Sequence, residues 1–116
     1  MIKSLKNAWF GLRYTWATQR NLRVQLIILF LVIIAGFIFS ITPIEWIFVM
    51  SAGFMVIGAE VANTSVERLV DLIEPKRNIN CKLVKDITAG LVMIVCVYAA
   101  IVGGIVFIPK LVALLL

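Results

Sequence analysis

The chain has 116 residues, 63% of them hydrophobic on a broad count, with a mean hydropathy of +1.10 and a formal net charge of +5. That is too apolar for a soluble domain and too short for several domains, so residues 1–116 read as a single integral membrane domain. Histidine is absent, which removes the commonest general base and metal ligand, and two cysteines, Cys81 and Cys96, make neither a disulfide framework nor a zinc site.

Residues 1–22 predict an amphipathic helix. Ile2, Leu5, Trp9, Leu12 and Trp16 recur at spacings of three and four, with Lys3, Lys6 and Arg13 elsewhere on the wheel. Basic residues and tryptophans ahead of a long apolar run place such a helix in the membrane interface. The same segment carries no short apolar core followed by a small-residue cleavage site, so no cleaved leader is expected. Residues 24–42 form the first predicted span, interrupted by Gln25. Pro43 suits the first turn of a new helix, which makes the hairpin tight and puts Glu45 and Trp46 at the far interface. The second span occupies residues 46–74 with a polar extension, and Pro75 is expected to stop it. Residues 75–83 read as a polar loop. A third span follows over 84–110, its apolar stretch from Ile87 to Ile108 being long enough to cross. Gly103 and Gly104, like the other glycines, suggest close helix packing.

Basic residues set the orientation. Five of the eleven precede the first span, five more lie between Arg68 and Lys85, and only Lys110 falls on the other side. The positive-inside rule makes the amino terminus and the 75–83 loop cytoplasmic. Orientation accounts for the basic excess, and no nucleic-acid partner is expected.

Within this apolar chain, Glu60, Asn63, Glu67 and Asp71 fall at i, i+3, i+7 and i+11, on one face of a helix. A charge at mid-depth in a bilayer costs about 2.5 to 3.5 kcal/mol on insertion scales, so a stripe of this kind marks function. Glu60 lies about 10 Å deeper than Glu67 at 1.5 Å per residue. The stripe therefore links a water-soluble reagent to a lipid headgroup, with Glu60 placed to serve as a general base. Lys85 and Asp86 open the third span. Lysine neutralises charge on a transferring phosphoryl group, and carboxylates hold Mg²⁺. Lys76, Arg77, Lys82 and Lys85 would attract a polyanion such as ATP, although no phosphate-binding glycine loop is present. Taken one at a time, these basic residues and Asp86 also fit ordinary interface charge, and Asp71 could cap a helix or pair with an arginine. A non-catalytic membrane assembly protein, whose stripe glues subunits together, is the rival reading. An ion channel is disfavoured because residues 46–57 offer only Ser51 as a polar continuation.

Three segments resemble the prokaryotic diacylglycerol kinase family and its undecaprenol kinase branch. The first is Glu60-Val61-Ala62-Asn63-Thr64-Ser65-Val66-Glu67-Arg68-Leu69-Val70-Asp71, which fits the pattern Glu-x-x-Asn-[Ser/Thr]-x-x-Glu-x-x-x-Asp. The second is Lys82-Leu83-Val84-Lys85-Asp86, and the third is Gly11-Leu12-Arg13 with Arg20-Asn21-Leu22-Arg23. The resemblance covers nearly the whole chain. It implies an all-α membrane protein, with an amino-terminal amphipathic surface helix and three transmembrane helices, assembled as a homotrimer in the bacterial cytoplasmic membrane. It further implies phosphoryl transfer from MgATP to a lipid alcohol, undecaprenol by preference and diacylglycerol as the alternative. On that analogy Glu60 is the catalytic base and Glu67 a metal ligand. Asn63, Lys76, Arg77, Asn78, Lys85 and Asp86 serve the nucleotide, while Arg13, Trp16, Asn21, Arg23 and Trp46 contact lipid. Two positions depart from the pattern. Gln19 stands where the surface helix usually supplies a second metal-binding glutamate, offering an oxygen without charge. Gln25 replaces a histidine or glutamate.

Overall fold

The computed structural model of the protein describes residues 1–74 and 78–116. The helix stop at Pro75 and the nucleotide roles of Lys76 and Arg77 fall outside the described residues. The described residues form four helices: α1 (Ile2–Thr18), α2 (Arg20–Ile38), α3 (Pro43–Ile73) and α4 (Ile79–Leu115). No strand occurs among the described residues, and α2, α3 and α4 are each long and apolar enough to cross a membrane. At 1.5 Å per residue α4 runs about 55 Å, close to the longest dimension of the chain, 57 Å. It packs along α3, with α2 on another side of α3 and α1 lying across the α2–α3 pair.

The surface helix is shorter than expected, ending at Thr18 instead of residue 22, and the first span starts at Arg20. Gln19 between them is extended, with φ −115° and ψ 109°. No proline or glycine marks this break; the cause is competition for carbonyls. Thr15 and Thr18 turn their hydroxyls onto the carbonyls of Gly11 and Tyr14, at 2.9 and 2.8 Å. Such back-bonding loosens a helix turn. Arg23 then donates to the carbonyls of Trp16 and Ala17 at 2.9 and 3.1 Å, closing the end of α1 with a cation.

The α2–α3 turn is built more tightly. Ser40 adopts a positive φ of 52°. Around it the Ile41 N–H donates to the Gly36 carbonyl at 3.1 Å and the Ser40 N–H to that of Phe37 at 3.3 Å. This is a Schellman ending with serine where glycine is usual. Thr42 and Glu45 then form a reciprocal capping box, at 3.2 and 2.9 Å, around Pro43.

The apolar core gathers at this hairpin end: Ile41, Val49, Ala52, Val102 and Val106 are buried, and Trp46, Tyr98 and Phe107 pack against them. Two glycines permit the closest approaches. A methyl group on Gly36 would meet the Trp46 ring at 2.5 Å, and one on Gly53 would meet Leu29 at the same distance. The packing expected at Gly103 and Gly104 does not occur within the chain; nothing lies within 4 Å at Gly103, and only Ile108 of the same helix approaches Gly104. The long polar loop is also shorter than expected. Asn78 caps α4 by accepting from the Asn80 N–H at 2.8 Å, so Cys81, Lys82 and Leu83 are already helical.

The stripe of α1 stays uncovered, with Ile2, Leu5, Trp9, Leu12 and Trp16 all exposed. That is the face an interfacial helix turns to lipid. Thr15 alone on this helix is buried. Tyr14 ties the helix to α3, its hydroxyl accepting from Arg68 at 2.8 Å while the guanidinium sits 5.5 Å from the ring centre.

Candidate active site

The basic end of α3 carries the polar stripe, and the fold buries it unevenly. Glu60 is 2% exposed and Asn63 is 8% exposed. Glu67 is half-buried, while Asp71 is exposed. Helical register alone lines these side chains up; packing of α2 and α4 against α3 decides how deep each one lies.

The polar groups around Glu60 are few. Gln25 of α2 donates from Nε2 to Glu60 Oε2 at 3.4 Å, a long contact. Thr64 does not reach the carboxylate, since its hydroxyl donates to the Glu60 backbone carbonyl at 2.9 Å. One turn further on, Asn63 Nδ2 donates to Glu67 Oε1 at 3.3 Å. Two buried acceptors here have no partner, Gln25 Oε1 and Asn63 Oδ1. Buried polar atoms are nearly always satisfied in folded proteins, so these two oxygens are open to a further hydrogen-bond or ion partner.

Lys85 and Asp86 take separate partners. Lys85 Nζ reaches across to Asp71 Oδ1 at 2.6 Å, whereas Asp86 pairs with Lys82 one turn earlier on its own helix at 2.7 Å. Asp71 thus pairs with a lysine of α4, and the nearby Arg68 goes to Tyr14 instead. The Lys85–Asp71 pair ties the basic ends of α3 and α4 together, next to Glu67.

The expected lipid-contact residues divide into two groups. Arg13 and Trp16 line a pocket of about 410 Å³ with Trp9, Leu12, Leu22, Leu26 and Ile57, where α1 meets α2 and α3. Ile57 is one turn from Glu60, which places this pocket beside that carboxylate. Arg23 spends its guanidinium on the end of α1, and Asn21 is exposed in the first turn of α2. Trp46 lies elsewhere. It packs over Gly36 and 5.0 Å from Phe37 at the hairpin end, about 21 Å along α3 from Glu60.

As metal ligands, Glu67 and Asn63 Oδ1 are hard oxygen donors one turn apart, and the asparagine oxygen is free to accept. Magnesium takes one or two protein oxygens and completes its shell with phosphate and water, so this pair fits. Gln19 is half-buried at the α1–α2 break and makes no side-chain hydrogen bond among the described residues. No group of three or more acidic, cysteine or histidine ligands is present among them.

Sequence reasoning passed over Gln25, which it noted as an interruption and a departure. The signal was available: a glutamine inside an otherwise apolar run needs a partner, and Glu60 supplies it. Tyr14 and Thr15 gave no comparable warning.

Comparison with known proteins covers all of these residues. Residues 6–107 match the family described as prokaryotic diacylglycerol kinase. The chain is 35% identical over 113 residues to the undecaprenol kinase of Bacillus subtilis, an alignment covering 94% of this chain and 89% of that protein. It is 32% identical over 116 residues to the diacylglycerol kinase of Synechocystis sp., covering 99% of this chain and 66% of that protein.

Proposed function

The chain belongs to the prokaryotic diacylglycerol kinase family, and on that premise we propose that it is a membrane lipid kinase. It transfers the γ-phosphoryl group of MgATP to the hydroxyl of a lipid alcohol. Undecaprenol is the preferred acceptor, in keeping with the Bacillus relative, and diacylglycerol is the alternative. The observation that carries the reading is Glu60: a carboxylate almost wholly withdrawn from solvent, held by one long hydrogen bond and set one turn from an amphipathic pocket. A buried carboxylate with so little satisfaction is costly, and proton abstraction gives it a use.

The residues divide the work by depth. Arg13 and Trp16 hold the acceptor at the interface, and Asn21 and Arg23 border the same entry. Trp46 reaches only the far part of a long hydrocarbon chain. Glu60 accepts the hydroxyl proton. Lys85, released from Asp71, neutralises charge on the γ-phosphoryl group, while Asp86 steadies the start of α4 through Lys82. Asn78, with Lys76 and Arg77, covers the nucleotide. Glu67 and Asn63 would hold magnesium, with Gln19 offering an uncharged oxygen; when bound, the ion would supply charge compensation for the phosphates. Catalysis comes from positioning and charge compensation, with direct in-line transfer. The amino terminus is cytoplasmic, the membrane is the bacterial inner membrane, and the working unit is a homotrimer.

The test is transfer of label from γ-labelled ATP into extracted lipid, offering undecaprenol and diacylglycerol in parallel, with Glu60→Gln as the control. Label in one lipid, lost in the control, is the expected result. No label in either lipid from a well-behaved trimer would overturn the reading and favour a purely structural relative.

A further inference from the structure

Glu60 Oε2 is engaged by Gln25, while Oε1 receives no hydrogen bond among the described residues. Gln25 is thus the sole side-chain donor reaching the carboxylate among those residues, and it comes from a different helix. Its own acceptor, Oε1, is buried and unpartnered. Gln25 also stands at the end of an apolar groove of about 440 Å³ between α2, α3 and α4, whose other walls include Leu29, Val56, Ala99 and Gly103.

The chemistry of an amide explains the arrangement. Two acceptor oxygens repel, so an ionised Glu60 requires the NH₂ end of Gln25 and leaves the amide oxygen idle. When a proton arrives on Oε1, Oε2 remains an acceptor, so the same NH₂ group still serves it. A glutamine therefore satisfies both states of the base. An apolar residue in its place would offer a hydrogen bond to neither state.

We infer that Gln25 is the positioning residue of Glu60, its NH₂ group holding Oε2 so that Oε1 faces the lipid hydroxyl both before and after the proton arrives. The inference rests on the reading of Glu60 as the base. In the step itself the hydroxyl O–H bond breaks and its proton passes to Glu60 Oε1. The lipid oxygen bonds to the γ-phosphorus as the bond to the β–γ bridging oxygen breaks, and ADP leaves.

The test compares wild type with Gln25→Met, which keeps length and packing without a polar head, and Gln25→His, which keeps one donor and one acceptor. Gln25→Met should lower kcat about thirty-fold, within the range for a misplaced catalytic group. It should leave the KM for MgATP and the melting temperature unchanged. Gln25→His should recover most of the loss. A second readout does not depend on turnover: the carboxylate infrared band of Glu60, identified by difference against Glu60→Gln, should shift in Gln25→Met. Wild-type kcat in Gln25→Met, equal loss in both variants, or an unmoved band would each overturn the inference. A wild type that phosphorylates no lipid while the band still shifts would keep the contact and remove the kinase reading beneath it.

Discussion

Glu45 and Glu60 sit on the same helix, about 22 Å apart at 1.5 Å per residue, and their surroundings could hardly differ more. Glu45 is saturated. Its carboxylate accepts from the Thr42 N–H at 2.9 Å and meets Lys110 with both oxygens, at 3.0 and 3.1 Å. Glu60 has one contact, at 3.4 Å, although it is far more buried. The same contrast separates the two ends of the molecule. The hairpin end pairs its helix termini and its charges, with a Schellman ending, a capping box and an ion pair packed around the apolar cluster. The basic end leaves two amide oxygens unpartnered next to a buried acid. Satisfied polar groups fix structure; unsatisfied ones are held ready for a ligand.

The same substitution at the two glutamates tests that division most sharply. Glu60→Gln should reduce kcat about a thousand-fold, in the range for loss of a general base, with the melting temperature in detergent near wild type. A smaller loss of kcat, or a large fall in stability, would put Glu60 with Glu45 as a structural residue. Packing at the hairpin end comes next. Gly36→Ala places a methyl group 2.5 Å from the Trp46 ring, and overpacking of this sort costs about 1 to 3 kcal/mol. Thermal unfolding should register it, while the kinetic constants per folded protein stay put.

Glu45→Gln keeps a residue able to complete the capping box but leaves Lys110 without its partner. The melting temperature should fall by a few degrees and turnover should not change; reduced kcat would link the two ends. The smallest effect has the opposite sign. Ser40 is held at φ 52°, where an L side chain costs about 1 kcal/mol that glycine avoids. Ser40→Gly should therefore raise the melting temperature slightly, and a fall would mean that the Ser40 side chain holds the turn together.

Much of this was legible in the order of residues. Apolar runs separated by Pro43 and by the polar segment near residue 80 give three long helices, because a chain in hydrocarbon must satisfy its backbone internally. The i, i+3, i+7, i+11 spacing put Glu60, Asn63, Glu67 and Asp71 on one face for the same geometric reason. The Thr42-x-x-Glu45 signature was equally readable as a cap. Loop length was misjudged because Asn78, a good cap, starts α4 at Ile79, five residues before the expected start at residue 84.

Periodicity along the chain therefore determined which residues share a helix face, since that depends only on 3.6 residues per turn. It could not determine which helix faces which. The break at Gln19, the pairing of Lys85 with Asp71 instead of its neighbour, the distance of Trp46 from Glu60, and the approach of Gln25 to Glu60 are all contacts between segments distant in sequence or competitions for one acceptor. Packing decided them, because burial and hydrogen-bond partners are properties of neighbours in space.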